Sequence, residues 1–216
     1  MDAAGEKRVA GDAAAELVAD GMLVGLGTGS TVAYFLEALA RRRLDVRCVA
    51  TSPRTEAAAR ALGLHVEPFD AVERLDLAVD GADEVAPDGW VVKGRGGALT
   101  REKVVAASAD VFVVIVDASK LVERVAPPVP LELLAYGLPS TLRRLGDVKV
   151  RDAAPSPDGG VLADYRGAVG DPATLAAMLS AVPGVVEHGL FEPSLITKVL
   201  VGRGDSATSM SPGGAT

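Results

Sequence analysis

The chain has 216 residues, 49% hydrophobic and 24% charged, with 22 Lys and Arg against 29 Asp and Glu for a net charge of −7. This is the composition of a globular protein with room for one large domain or a medium domain and a smaller companion, and it excludes the basic footprint of a nucleic-acid binder. No apolar run approaches the roughly 18 residues needed to span a bilayer, and the start "MDAAGEKRVAGDAAAEL" carries neither a signal-peptide core nor a transit-peptide pattern.

Along the chain, Val9, Ala13 and Leu17 recur at helical spacing and lead into an apolar run, "MLVGL" (22–26), that ends in glycines. Val32, Phe35, Leu36 and Leu39 then repeat at i, i+3, i+4 and i+7, the spacing of an amphipathic helix. "VRCVA" (46–50) reads as a strand and "RTEAAARALG" as a helix stopped by Gly63. Its Cys48 is the only cysteine, so no disulfide framework exists and a reducing, cytoplasmic setting is the expectation. "LDLAV" (75–79), "WVV" (90–92) and "VFVVIV" (111–116) are further apolar runs, with the helical "GALTREKVVAASA" between the last two. Short runs apolar on both faces, alternating with amphipathic helices, predict an α/β domain built on a mainly parallel sheet covered on both sides.

Beyond about residue 124 the texture changes. "VAPPVP" (125–130) suits a crossing between domains. A strand-like "LELL", a helix near 138–145, strands near 147–151 and 161–166, a helix at 171–182 and "GVVEHGLF" then outline a smaller α+β unit. "ITKVLVGR" (196–203) reads as a strand returning to the first domain. The expected plan is residues 1–124 with 197–216 as one domain and 125–196 as the other, with the Gly/Ser/Thr-rich tail disordered from about residue 204.

In an open parallel sheet, ligands bind beyond the carboxyl ends of the strands. Four of the apolar runs end in small polar clusters: "GTGST" (27–31), "DGAD" (80–83), "KGRGG" (93–97) and "DASK" (117–120). On a common rim they form one pocket. A glycine loop opening a helix lets backbone N–H groups approach an anion such as phosphate, with Ser30 and Thr31 adding hydroxyls; a tight turn with a capped helix is the plainer alternative. The third glycine of GxGxxG is replaced by Ser30 and no acid follows the second strand, which argues against a dinucleotide. Lys93 and Lys120 at one rim can hold a phosphate and an anionic intermediate, whereas each alone reads as a surface group. Glu102 suits either a surface charge network or a base for carbon-acid chemistry. Asp80, Asp83 and Glu84 are a weaker candidate for Mg²⁺. His65 and His188 show no zinc or triad pattern and read as structural.

"GLGTGST", "DGADEV", "KGRGGALTREK" and "DASK", in this order and spacing and joined by "VPGVVEHGLF" (182–191), resemble the A-type ribose-5-phosphate isomerases through nearly the whole chain. The resemblance implies a Rossmann-like first domain completed by the C-terminal strand, and a ferredoxin-like second domain. It implies cofactor-free, metal-free interconversion of D-ribose 5-phosphate and D-ribulose 5-phosphate through an enediolate, in the non-oxidative pentose phosphate pathway. Glu102 matches the general base, with Asp80, Asp83 and Lys93 as further catalytic groups. Gly27, Thr28, Gly29, Ser30 and Thr31 match the substrate-binding glycine loop. Asp80, Gly81, Ala82 and Asp83, and likewise Lys93, Gly94, Arg95 and Gly96, match the segments around the reacting carbons. Lys120 matches a substrate-binding lysine, and Lys7 a basic position near the phosphate. A homo-oligomer, dimer or tetramer, is implied as well.

Two departures stand out. The family's Asp-Asn-Gly-Asn turn reads "SPDGG" (156–160) here, and Arg95 stands where many relatives carry glycine. Two other functions remain open from sequence: a non-catalytic sugar-phosphate sensor, which needs the loop and a lysine but no base, and a sugar-phosphate deaminase, which calls for a histidine at the rim.

Overall fold

A computed structural model describes residues 2–211. The chain begins with helix α1 (Ala3–Ala15) and runs through β1 (Leu23–Leu26), α2 (Ser30–Arg42), β2 (Arg47–Ala50), α3 (Pro53–Ala61) and β3 (His65–Val66). It returns through β4 (Leu75–Gly81), β5 (Glu84–Val85), β6 (Val91–Val92), α4 (Leu99–Ala107) and β7 (Ala109–Asp117). The local causes are visible. In α2, Val32, Phe35, Leu36 and Leu39 are all buried, and Arg43 ends the helix in a left-handed conformation with φ 52°. Helix α3 starts on Ser52, whose hydroxyl accepts from the Thr55 N–H, with Pro53 pre-set for the first turn.

A seven-stranded sheet is completed near the C-terminus by β13 (Lys198–Arg203) and β14 (Ser206–Met210), a numbering that leaves β8 to β12 for the remaining strands. Its spatial order is β3-β2-β1-β4-β7-β13-β14, parallel except for β14. That is the doubly wound 3-2-1-4-5-6 order with one antiparallel edge strand added. Both faces are packed, as the period of two along β7 shows. Val113 and Ile115 join Phe35, Leu39, Ala10 and Ala14 beneath the first helices, while Phe112, Val114 and Val116 join Val105 and Ala106 of α4.

The smaller unit runs β8 (Val129–Leu133), α5 (Leu138–Leu145), β9 (Val148–Val150), β10 (Val161–Tyr165), α6 (Pro172–Ser180) and β11 (Val185–His188). Its antiparallel sheet has the order β11-β8-β10-β9, a ferredoxin-like β-α-β-β-α-β arrangement with its own core around Leu131, Leu133 and Leu179.

Two expectations change. "WVV" does not extend the parallel sheet: β6 sits between β5 and β12 (Leu190–Phe191) in a separate three-stranded antiparallel sheet. Residues 206–210, expected to be disordered, form β14 because β13 offers a free backbone edge for pairing. The rest of that expectation, residues 212–216, lies outside the described residues.

Candidate active site

The strand order reverses between β1 and β4, and the loops leaving these two strands open a crevice at their carboxyl ends. Asp80 stands at the end of β4 and is 2% exposed. One of its oxygens, Oδ1, accepts the N–H groups of Thr28 (3.0 Å) and Gly81 (2.7 Å), stitching the first loop to the second. This close approach requires Gly27, where a Cβ would lie 2.0 Å from the Asp80 Cγ.

The other oxygen, Oδ2, is 2.9 Å from the Lys93 ammonium, which in turn is 3.2 Å from Glu102 Oε2. Lys93 follows β6, and its main chain is fixed by a 2.9 Å bond from its N–H to the Gly189 carbonyl. Its Nζ also donates to the Gly81 carbonyl. Glu102 projects from the first turn of α4. All three side chains are about 3% exposed. Two carboxyls thus share one ammonium in a dry setting. Burial, and then the neighbouring Asp80 charge, push Glu102 up to about 8. Burial disfavours the Lys93 charge, but Asp80 and Glu102 together outweigh it and raise that group. Burial raises Asp80 as well, opposed by Lys93 and the two backbone donors. Those donors favour the ionised form of Asp80, and Glu102 has no such backbone support.

The cleft above this cluster has a volume of about 130 Å³. Thr28, Gly29, Ser30 and Thr31 line it from the first loop, and Gly81, Ala82 and Asp83 from the second. Lys93, Gly94 and Gly96 contribute from the loop after β6, Glu102 from α4, Lys7 from α1, and Lys120 from the short turn after β7. Lys7 donates to Ser30 Oγ at 3.0 Å. Helix α2 opens on Gly29, which has no side chain to cap it, so its first N–H groups face the loop that lines the cleft.

Three of the residues expected at the substrate do not line the cleft. Gly27 and Asp80 lie behind it as support. Arg95 points its guanidinium at Glu84 (3.4 Å), while its N–H donates to Asp83 Oδ2 (3.0 Å), so it holds Asp83 through its backbone. Among the described residues, no group of three or more His, Cys, Asp or Glu is arranged to hold a metal, Asp80, Asp83 and Glu84 included. His188 is buried in β11 and pushed down to about 4, first by burial, while His65 is exposed.

Sequence reasoning passed over one group. Thr28 Oγ1 lies 2.8 Å from the hydroxyls of Thr51 and Ser52 and 3.2 Å from that of Thr55, and Thr55 in turn bonds the Gly27 carbonyl at 2.8 Å. These buried hydroxyls set the first loop on the end of β2. The signal was present in "TSPRT" after β2, a polar cluster at the same rim as the other four.

A doubly wound α/β fold with cations around a small cleft and a buried carboxyl beside an ammonium defines an enzyme that performs acid–base chemistry on a small anionic substrate. The comparisons say which. A family model, Ribose 5-phosphate isomerase A (phosphoriboisomerase A), matches residues 47–206. Ribose-5-phosphate isomerase A of Caulobacter sp. (strain K31) is 42% identical over 98% of this chain and 100% of that protein. That of Methanosarcina acetivorans is 42% identical over 94% and 92%. The crystal structure of ribose 5-phosphate isomerase A from Neisseria gonorrhoeae superposes with a TM-score of 0.93 at 30% identity, covering 98% of both chains. A D-ribose-5-phosphate isomerase in complex with phospho-erythronic acid gives 0.92 at 31% identity, over 98% of this chain and 100% of that one. The chain belongs to the ribose-5-phosphate isomerase A family. It is an isomerase that interconverts ribose 5-phosphate and ribulose 5-phosphate, a reaction of the pentose phosphate pathway.

Proposed function

We propose that Glu102 is the base that carries one proton between C2 and C1 of the open-chain sugar phosphate, through an enediolate. The observation that carries this reading is the buried Asp80–Lys93–Glu102 cluster at the cleft, with Lys93 Nζ 2.9 Å from one carboxylate and 3.2 Å from the other. A single carboxylate that lifts the C2 proton of the aldose can return it to C1 on the same face. A pKa near the working pH suits a group that must both take and give a proton. Lys93 stabilises the negative charge that develops on the sugar oxygens, worth on the order of 3 kcal/mol for one well-aimed donor.

The remaining roles follow from position. Asp83, at the cleft wall, exchanges protons with the sugar hydroxyls and assists ring opening, while Asp80 keeps Lys93 charged and aimed. Lys7, Lys120, Ser30, Thr31 and the open start of α2 hold the phosphate, which does not react and supplies the binding energy that orients the other end. The phospho-erythronic acid bound by a related isomerase supports this division, because its planar carboxylate resembles the C1–C2 end of an enediolate.

Glu102→Gln is the direct test. It retains binding of ribose 5-phosphate and loses about 10²–10⁴-fold in turnover. In D2O the wild-type protein incorporates solvent deuterium into the sugar and the variant does not. Near-normal isomerisation by the variant removes Glu102 from the base role.

Copies of the chain are proposed to associate through the second domain, where Tyr136 is 93% and Leu134 51% exposed. Light scattering at a monomer mass rejects that contact. No helix among the described residues is long and apolar enough to cross a membrane. A cytoplasmic setting is proposed on the ground that doubly charged sugar phosphates stay where they are made.

A further inference from the structure

Helix α4 brings Glu102 to the cleft, and the residues beside it bond the second domain. Thr100 Oγ1 donates to Glu132 Oε2 at 2.6 Å. Arg101 grips Asp158 with Nε (2.8 Å) and Nη2 (2.6 Å). Lys103 Nζ donates to Glu187 Oε1 at 2.7 Å and to the His188 carbonyl at 2.6 Å. Buried Leu99, Val105 and Ala106 pack the helix into the core, and these polar ties fix it against the smaller unit.

Lys103 differs from the other two because its bonds lead back to the reacting centre. The residue after His188 is Gly189, whose carbonyl accepts the Lys93 N–H at 2.9 Å and whose own N–H is held by Pro130 at 2.7 Å. The two main chains touch so closely that a Cβ on Gly189 would lie 2.2 Å from the Lys93 carbonyl oxygen. The Lys103 and Lys93 ammonium groups also both lie against the Phe191 ring, 5.0 and 5.5 Å from its centroid. The Lys103 side chain is only 14% exposed, and burial lowers its pKa, so its charge is maintained there by Glu187 rather than by water. One ammonium therefore ties the helix that carries Glu102 to the segment that fixes Lys93.

We propose that Lys103 is a positioning residue for the isomerisation: by joining α4 to residues 187–189 it sets the Glu102 carboxylate at its working distance from Lys93. This rests on Glu102 being the base. A fastener of the two domains and nothing more would affect stability alone. A positioning residue affects kcat, because a displacement of about 1 Å at reacting groups can lower the rate about 100-fold.

The experiment uses the full chain with Lys103→Met, alone and combined with Glu102→Gln, and with Glu187→Ala as an independent variant that removes the acceptor. Lys103→Met is expected to lower kcat about 10- to 100-fold while KM stays within about threefold, since the phosphate grip lies elsewhere. On the Glu102→Gln background the same change is expected to lower kcat by less than about twofold, because a displaced base that is already absent has no further effect. A folded Lys103→Met protein with a reduced Tm and wild-type kcat overturns the proposal, as does a kcat loss that adds in full to that of Glu102→Gln. Should Lys103→Met not fold, Glu187→Ala decides: a kcat loss of about threefold or more at unchanged KM supports positioning, and an unchanged kcat overturns it. Near-normal turnover by Glu102→Gln alone would instead strike the base assignment, a distinct result.

Discussion

Asp80 and Glu102 share a single ammonium group, Lys93 Nζ, at 2.9 and 3.2 Å, with almost no water in reach of any of the three. One positive charge cannot fully neutralise two buried anions. The pair therefore divides its labour by hydrogen bonding: Asp80 takes two backbone N–H groups and Glu102 takes none. Asp80 is the carboxylate with backbone support, and the proposed base is the one without it.

The pH dependence follows directly. The proposed base, Glu102, can take a proton only when ionised, and burial, with the Asp80 charge, pushes its pKa up to about 8. Below that value kcat/KM is expected to fall about tenfold per pH unit, so the rate constant at pH 6 should be about 100-fold under its alkaline plateau. The substrate phosphate, with a second pKa of about 6, adds curvature only at the acid end. A profile that is flat between pH 6.5 and 8.5 would contradict the assignment.

The same raised pKa makes a statement about stability with a definite sign. The carboxyl has a pKa of 4.5 when unperturbed and about 8 when folded. An acid raised in this way contributes its full share below the unfolded value and loses it as pH rises through the folded one. Glu102→Gln carries no such loss. Its unfolding free energy should match wild type near pH 4.5 and pull ahead progressively up to about pH 8, by an amount on the order of a few kcal/mol at most. Thermal unfolding of both proteins across that range checks it, and a constant difference would reject it.

Gly27 is a structural dependency that the active-site reading alone would overlook. Its position allows no Cβ, because the nearest Asp80 side-chain atom would be 2.0 Å away. Gly27→Ala should push Asp80 off the Thr28 and Gly81 amides, destabilise by about 1–3 kcal/mol and depress kcat through Lys93. Unfolding midpoints together with steady-state kinetics decide this; full activity would show that the loop absorbs the methyl group.

Much of this was legible in the sequence for a simple reason. Strands buried on both faces must end abruptly in polar loops, so "LVGL", "LDLAV" and "VFVVIV" announce both the parallel sheet and the rim where the cleft opens. Two-residue strands carry no such periodicity, and β6 was therefore readable as an apolar run but not as part of a separate antiparallel sheet. β14 was illegible because "SATSM" has no apolar face; it is held by main-chain bonds to β13, and these depend on the partner rather than on the segment. Thr51, Ser52 and Thr55 were passed over because Thr28 meets their hydroxyls only after β1 and β2 are laid side by side. The ties from α4 to Glu132, Asp158 and Glu187 span 32 to 84 positions in sequence and have no local pattern at all.

Cys48 offers an inexpensive check on the sheet. It is fully buried in β2, and burial followed by the nearby Glu67 charge pushes its thiol up to about 12. The thiolate is the reactive form, so the native protein should resist alkylation by iodoacetamide and retain activity, with labelling appearing only on unfolding. Rapid modification of the folded protein would place β2 at a surface.

The phosphate end separates from the chemical end in kinetics. Lys120 lines the cleft from the turn after β7, where Asp117 caps the backbone N–H of Ser119 at 3.0 Å and fixes the turn. Its proposed partner, the phosphate, carries the same charge in the ground state and in the transition state. Contacts of that kind lower KM without raising kcat. Lys120→Ala should therefore raise KM for ribose 5-phosphate about tenfold and change kcat by less than about threefold, the reverse of the pattern expected for Lys103→Met. Added salt should raise the wild-type KM and affect the variant less, because one screened attraction has already been removed. Initial-rate measurements at two ionic strengths resolve both effects, and a variant with unchanged KM would take Lys120 out of the phosphate site.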